Sequence, residues 1–126
     1  MLLSLAPMAD ITHLGFRRLV YSFKAPDLYY SEMVHSPSLL AGGQFEKWYM
    51  LIDEGETLIW QITSNETETI KDTIPMLLEK GGIGIDLNMG CSAPHIVATG
   101  AGFGWIKKSR EEVKKWVKNA RYAIDT

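Results

Sequence analysis

Four short apolar runs, each followed by a segment with helical spacing, divide the sequence. The runs are Leu2 to Met8, Leu28 to Met33, Thr57 to Thr63 and Ile83 to Met89. Neighbouring parallel strands need a long crossover, usually a helix. The repeated strand–helix order therefore predicts an α/β fold with a parallel sheet and right-handed crossovers. Each unit is about 30 residues long, the size of a βα repeat. Two architectures accommodate four such units: a small open doubly wound sheet, or part of a (βα)8 barrel. No G-x-G-x-x-G follows the first run, which removes the main signature of a dinucleotide-binding open sheet.

The helical segments carry their own punctuation. Thr12 is an expected N-cap, followed by Phe16, Leu19, Val20 and Phe23 at helical spacing. Ser36-Pro37 reads as a cap with proline at the first helical position. That helix should break near Gly42-Gly43, and a second piece should run from about Gln44 to Ile52. Asn65 with Glu68 resembles a capping box for a helix to Lys80. Pro75 should kink or restart that helix, and Gly81-Gly82 should end it. Ser109 with Glu112 is another capping box. Val113, Trp116, Val117, Ala120 and Ile124 then form an apolar stripe on a last helix.

In an α/β barrel the functional residues lie at the C-terminal ends of the strands. Here those ends are Ala6-Pro7-Met8-Ala9, Ser31-Glu32-Met33, Gln61-Ile62-Thr63 and Asn88-Met89-Gly90-Cys91. The last is the most telling. Ile85, Leu87 and Met89 alternate with Asp86 and Asn88, and the run stops at the chain's only cysteine. The apolar set is expected under the helices, and the polar pair on the inner face.

The 126 residues read as one domain, and an apolar content of 46% suits a soluble globular protein. A net charge of −2 carries no overall nucleic-acid footprint. A single cysteine makes no internal disulfide, so a cytoplasmic setting is expected. The opening MLLSLAPMAD lacks a basic n-region and is too short to span a membrane. His13, His35 and His95 lack metal-ligand spacing, so no metal site is expected. The sequon at Asn65 is read as chance.

LAPMADIT, GFRRLV, SEMV, WQIT, DLNMGC and TGAGFGW, in this order, resemble the tRNA-dihydrouridine synthases. The resemblance covers essentially the whole chain. It implies a TIM barrel that holds FMN, followed by a small helical tRNA-binding domain, and an oxidoreductase that reduces one uracil of tRNA. By position, Pro7, Met8 and Ala9 match the strand end lining the flavin ring. Gln61 matches the glutamine at the isoalloxazine edge, and Asn88 the asparagine near flavin and uracil. Cys91 matches the catalytic acid that protonates carbon 5 after hydride reaches carbon 6. NADPH or NADH would recharge the flavin. A thiol on a glycine-flanked loop suits a proton donor near neutral pH, and amide side chains suit a flavin or uracil edge. The base would have to flip out of the tRNA fold.

Other residues keep two readings. Arg17, Arg18 and His95 are candidates for substrate phosphate, with a solvated helix face as the alternative for the two arginines. Glu32 is either a buried acceptor or a surface carboxylate. Asp86 reads as a satisfied inner polar group. Trp48, Trp60, Trp105 and Trp116 read as packing residues. Gly100, Gly102 and Gly104 read as a flexible loop beside the cysteine rather than a phosphate cradle.

The sequence departs from the family at Ser92-Ala93, which precede Pro94, and at His95, where many members place lysine. A TIM barrel needs eight βα units, typically about 250 residues. Residues 1–126 therefore read as the N-terminal half of an FMN-binding barrel, without the helical tRNA-binding domain. Its edge strands call for the C-terminal half or a second copy, making a homodimer one option. The alternatives are a non-catalytic half-barrel assembly module and a flavin oxidoreductase acting on small molecules.

Overall fold

Leu58, Trp60 and Ile62 are fully buried, and they mark the centre of the molecule. They lie on β3 (Leu58–Thr63) in a computed structural model that describes residues 1–24, 26–44 and 46–126. β3 pairs in parallel with β2 (Leu28–His35) on one side and β4 (Gly84–Leu87) on the other. β1 (Ser4–Leu5) flanks β2, again in parallel. The sheet order follows the chain, β1-β2-β3-β4. Each crossover steps to the next strand without reversal. A doubly wound sheet reverses at a switch point, so the observed order is that of a partial barrel, a half circuit that does not close.

One face of the sheet is covered. Tyr29, Val34, Leu58, Trp60 and Ile62 form a core with Ile70, Ile74 and Leu77 of α4 (Ile70–Lys80). Trp116, Ala120 and Ala123 of α6 (Arg110–Asp125) close it from outside. Burying each large side chain contributes about 1.5–3 kcal/mol. Trp116 stacks on Trp105 with ring centroids 4.1 Å apart, which ties α6 to the chain leaving β4. The other sheet face carries Met33, Gln61 and Asp86 in one row, because Met33 pairs with Gln61 and Gln61 with Asp86.

β2 reaches that row through a bulge. Between Tyr30 and Met33 its register slips by one residue against β3. Ser31 at the bulge accepts the Gln61 N–H on its Oγ at 2.9 Å and donates to the Glu32 carbonyl. Bulges of this kind re-aim side chains beside functional sites.

Several boundaries differ from the sequence expectations. β1 is two residues, not Leu2 to Met8, because an edge strand has one partner and Leu2 and Leu3 are exposed. β2 runs on to His35, and α2 (Ser36–Leu40) follows with no loop. His35, not Ser36, is its N-cap. α1 (Leu14–Ser22) is capped by His13, whose Nδ1 accepts the Phe16 N–H. The expected piece from Gln44 to Ile52 narrows to α3 (Glu46–Tyr49), and Phe45 lies outside the described residues. α4 starts at Ile70 behind Thr69, so Asn65 and Glu68 do not form its capping box. Pro75 sits on its exposed side and α4 continues through it.

The Ser109–Glu112 capping box is present in full, with Ser109 Oγ accepting the Glu112 N–H. The stripe on α6 is rotated from the expected one. Asn119, Ala120 and Ala123 are buried with Trp116, while Val117 and Ile124 are 47% and 44% exposed. Met89 is also exposed, because β4 ends at Leu87. Trp48 is exposed beside Lys47, whereas the other three tryptophans are buried.

Candidate functional site

The loop after β1 is rigid by construction. The Met8 carbonyl accepts from the N–H groups of Ile11 and Thr12 and from Thr12 Oγ1, and Thr12 Oγ1 in turn accepts the Met8 N–H at 3.0 Å. Asp10 has φ +63°, a left-handed conformation that aspartate tolerates better than most residues. Its N–H donates to Glu32 Oε1 at 2.7 Å, and Glu32 is 5% exposed. Of the two readings of Glu32, the buried acceptor is correct. These bonds fix Pro7 and Met8, both half-buried, and the exposed Ala9 at the C-terminal end of β1.

Four polar residues join across the ends of β3 and β4. Gln61 Nε2 donates to Asp86 Oδ2 at 2.6 Å. Asn88 Nδ2 donates to Gln61 Oε1 at 2.9 Å. Asn88 Oδ1 accepts the N–H groups of Gly90 at 3.1 Å and Cys91 at 2.9 Å. A carboxylate only accepts, so Asp86 dictates which end of the Gln61 amide faces it. That choice fixes the Asn88 amide, and Asn88 then holds the backbone of Cys91. The line leaves one N–H on each amide nitrogen and one lone pair on Gln61 Oε1 for a further partner. Cys91 is a free, half-buried thiol.

The chain beyond Cys91 supports it from below. α5 (Pro94–Ala98) and a 3₁₀ helix (Gly102–Lys107) follow, and sequence spacing gave no sign of either. The Cys91 carbonyl accepts the Phe103 N–H at 2.8 Å. Gly102 has φ +52°, and a Cβ there would stand 2.5 Å from the Cys91 carbonyl oxygen. Its N–H reaches Thr63 Oγ1 at 3.3 Å. The glycine run is therefore a buttress under the cysteine, and Gly102 and Gly104 are buried. The expectation of a flexible loop is corrected. The G-A-G spacing was the signal: only glycine fits where backbone meets backbone this closely.

Two candidates stand elsewhere. Arg17 is 2% exposed and sits in the wall of a cavity at the opposite end of the sheet from Cys91. Its guanidinium bonds Glu56 at 2.6 Å, the Thr12 carbonyl at 2.7 Å and the Leu51 carbonyl at 2.7 Å. Neither a phosphate contact nor a solvated face describes it. His95 is exposed in the first turn of α5 and takes no part in the Asp86–Gln61–Asn88–Cys91 line. His35, at the end of β2, was not expected here. Its Nδ1 bonds Ser38 Oγ at 2.7 Å, and burial lowers its pKa. A cavity of about 580 Å³ opens at the other end of the sheet, among Asp27, Tyr29, Asp53 and Thr57, away from Cys91.

Among the described residues, no group of three or more His, Cys, Asp or Glu is placed to hold a metal. None of their helices is long and apolar enough to cross a membrane.

The dihydrouridine synthase family model matches residues 4–126. A probable tRNA-dihydrouridine synthase of Rickettsia typhi is 34% identical over 112 residues, 87% of this chain and 34% of that protein. One from Staphylococcus aureus is 31% identical over 105 residues, 81% of this chain and 32% of that protein. A probable tRNA-dihydrouridine synthase 2 of Bacillus subtilis is 30% identical over 105 residues, with the same coverage of both chains. The chain thus spans about a third of the length of the curated relatives it matches.

Proposed function

The chain belongs to the dihydrouridine synthase family, and on that premise we propose that it supplies the N-terminal half of an FMN-dependent tRNA-dihydrouridine synthase site. The substrate is a uracil base of tRNA, and the product is its dihydro form. The observation that carries this reading is the continuous line Asp86–Gln61–Asn88–Cys91 at the C-terminal ends of β3 and β4.

The residues fit a flavin ring. Pro7 and Met8 offer a rigid apolar wall, and Gln61 and Asn88 keep free amide capacity for a heterocycle edge. When bound, FMN supplies the hydride that uracil receives at carbon 6, and NADPH or NADH is the class of reductant that restores it. Everything else falls to the chain. Asn88 fixes the Cys91 backbone, so the thiol can be presented at one side of the base. Cys91 gives its proton to carbon 5 and recovers one from solvent, which its half-buried position admits. Gln61 and Asn88 orient ring and base. His95, exposed beyond the cysteine loop, is a contact for substrate phosphate. A cytoplasmic setting follows from a tRNA substrate.

Four βα units leave the edges of β1 and β4 open. A C-terminal half or a second copy of the chain would cover them. Anchoring of the FMN phosphate belongs to the later strands of such a barrel, so binding to these residues is weak. Titration of the 126-residue chain with FMN, followed by flavin fluorescence, tests this. Saturable quenching that weakens about tenfold in Gln61→Leu is expected, one lost hydrogen bond being worth about 1.4 kcal/mol. No quenching at millimolar FMN, or equal quenching in the variant, contradicts the flavin assignment and favours the non-catalytic module.

A further inference from the structure

The chain's net charge hides a strong asymmetry. Residues 107–121 hold seven of its 13 lysines and arginines but only two of its 15 acidic residues. That segment carries a formal +5, and the rest of the chain −7.

The positive charges are arranged. Arg110, Lys114 and Lys118 recur every four residues along α6, and Arg121 continues the same side one turn later. Residues at that spacing share a helix face. The face is exposed and lies opposite Trp116, Ala120 and Ala123, which face the core. Lys107, Arg110 and Lys118 enter none of the ion pairs formed among the described residues, while Lys114 and Arg121 pair with Glu111 and Asp125.

The ridge begins beside the cysteine. The Phe103 N–H is bonded to the Cys91 carbonyl, and the 3₁₀ helix from Gly102 ends at Lys107. At about 2 Å rise per residue, Lys107 lies roughly 10 Å along from the buttress. Phe103 itself is 46% exposed, an aromatic surface at the start of the ridge on which an unpaired base can stack.

We propose that the ridge from Lys107 along the outer face of α6 is a docking surface for tRNA phosphates, which aligns the duplex flanking the target uridine with Cys91. The proposal rests on the reading of tRNA as substrate. Contacts of this kind position without reading sequence.

Salt dependence tests it. The affinity of the 126-residue chain for an unmodified tRNA transcript is measured by fluorescence anisotropy between 50 and 200 mM salt. Three proteins are compared: native, a ridge triple (Lys107→Gln, Arg110→Gln, Lys118→Gln), and a control triple (Lys24→Gln, Lys47→Gln, Lys80→Gln). Both triples remove the same charge, and glutamine keeps helix propensity. Circular dichroism melts confirm that each is folded. Each lost contact lowers the slope of log K against log salt by about 0.7–0.9. The native and control proteins should therefore lose about 20- to 40-fold more affinity across this range than the ridge triple. A ridge triple that matches the control, or a native chain that fails to bind at 50 mM salt, overturns the proposal. The two readings fail separately. A ridge effect without FMN quenching supports this surface and contradicts only the flavin assignment.

Discussion

Arg17 and Arg18 are adjacent in sequence and opposite in circumstance. Arg17 and its partner Glu56 have side chains 2% and 9% exposed, and their bond is 2.6 Å. Removing the guanidinium strands a buried carboxylate, at a cost of about 3–5 kcal/mol. The Arg18–Asp53 pair is 62% and 43% exposed, and such pairs contribute about 0–1 kcal/mol. Urea denaturation should therefore show a large loss in Arg17→Ala and a small one in Arg18→Ala. Near-equal values, or a stable Arg17→Ala that loses tRNA affinity, would return Arg17 to the substrate candidates. Nothing in the sequence separates the two arginines, since both fall on plausible helix positions. What decides is Glu56, 39 residues away. Asp86 gives the reverse case: period-two alternation in GIDLNMGC placed it correctly on the inner face, and the motif order singled out Gln61 and Asn88. The sequence could not show that the three amide and carboxylate groups bond to one another.

At the scale of elements, the strand–helix alternation and the capping box of α6 were legible because they rest on local signals. α5 and the 3₁₀ helix were not, because a five-residue helix and a glycine-rich turn carry too little periodicity. Asn65 and Glu68 misled for a specific reason. Glu68 is used elsewhere, bonding Lys115 of α6 and Lys71, so it staples α6 to the start of α4 rather than capping α4. Lys115 above all, then Lys71, holds the Glu68 pKa at about 2, against an ordinary 4.5. A depressed carboxylate stabilises the fold above its unfolded pKa and loses that contribution as pH falls. Between pH 4.5 and about 2, thermal stability should therefore decline more steeply in the native chain than in Glu68→Gln. The difference will be modest because the group is exposed. Parallel curves would show that the staple is idle.

The described residues form a half circuit with two open edges. Leu2, Leu3 and Ile83 are exposed beside them, and every residue of β4 is only half-buried. Such edges invite pairing. Without a C-terminal half, the chain should associate through β1 and β4, each edge meeting the other strand of a two-fold partner. Light scattering at micromolar concentration should give a dimer mass; a strict monomer would contradict that arrangement. The fold class was readable because a parallel sheet imposes its order on the chain. The central claim is that these residues carry uracil reduction with Cys91 as the acid. The most direct measurement is dihydrouridine formed in unmodified tRNA by the chain with excess FMN and NADPH, comparing native with Cys91→Ala. The account predicts product in the native reaction and at least about 10²-fold less in the variant. Equal yields from the two would contradict it.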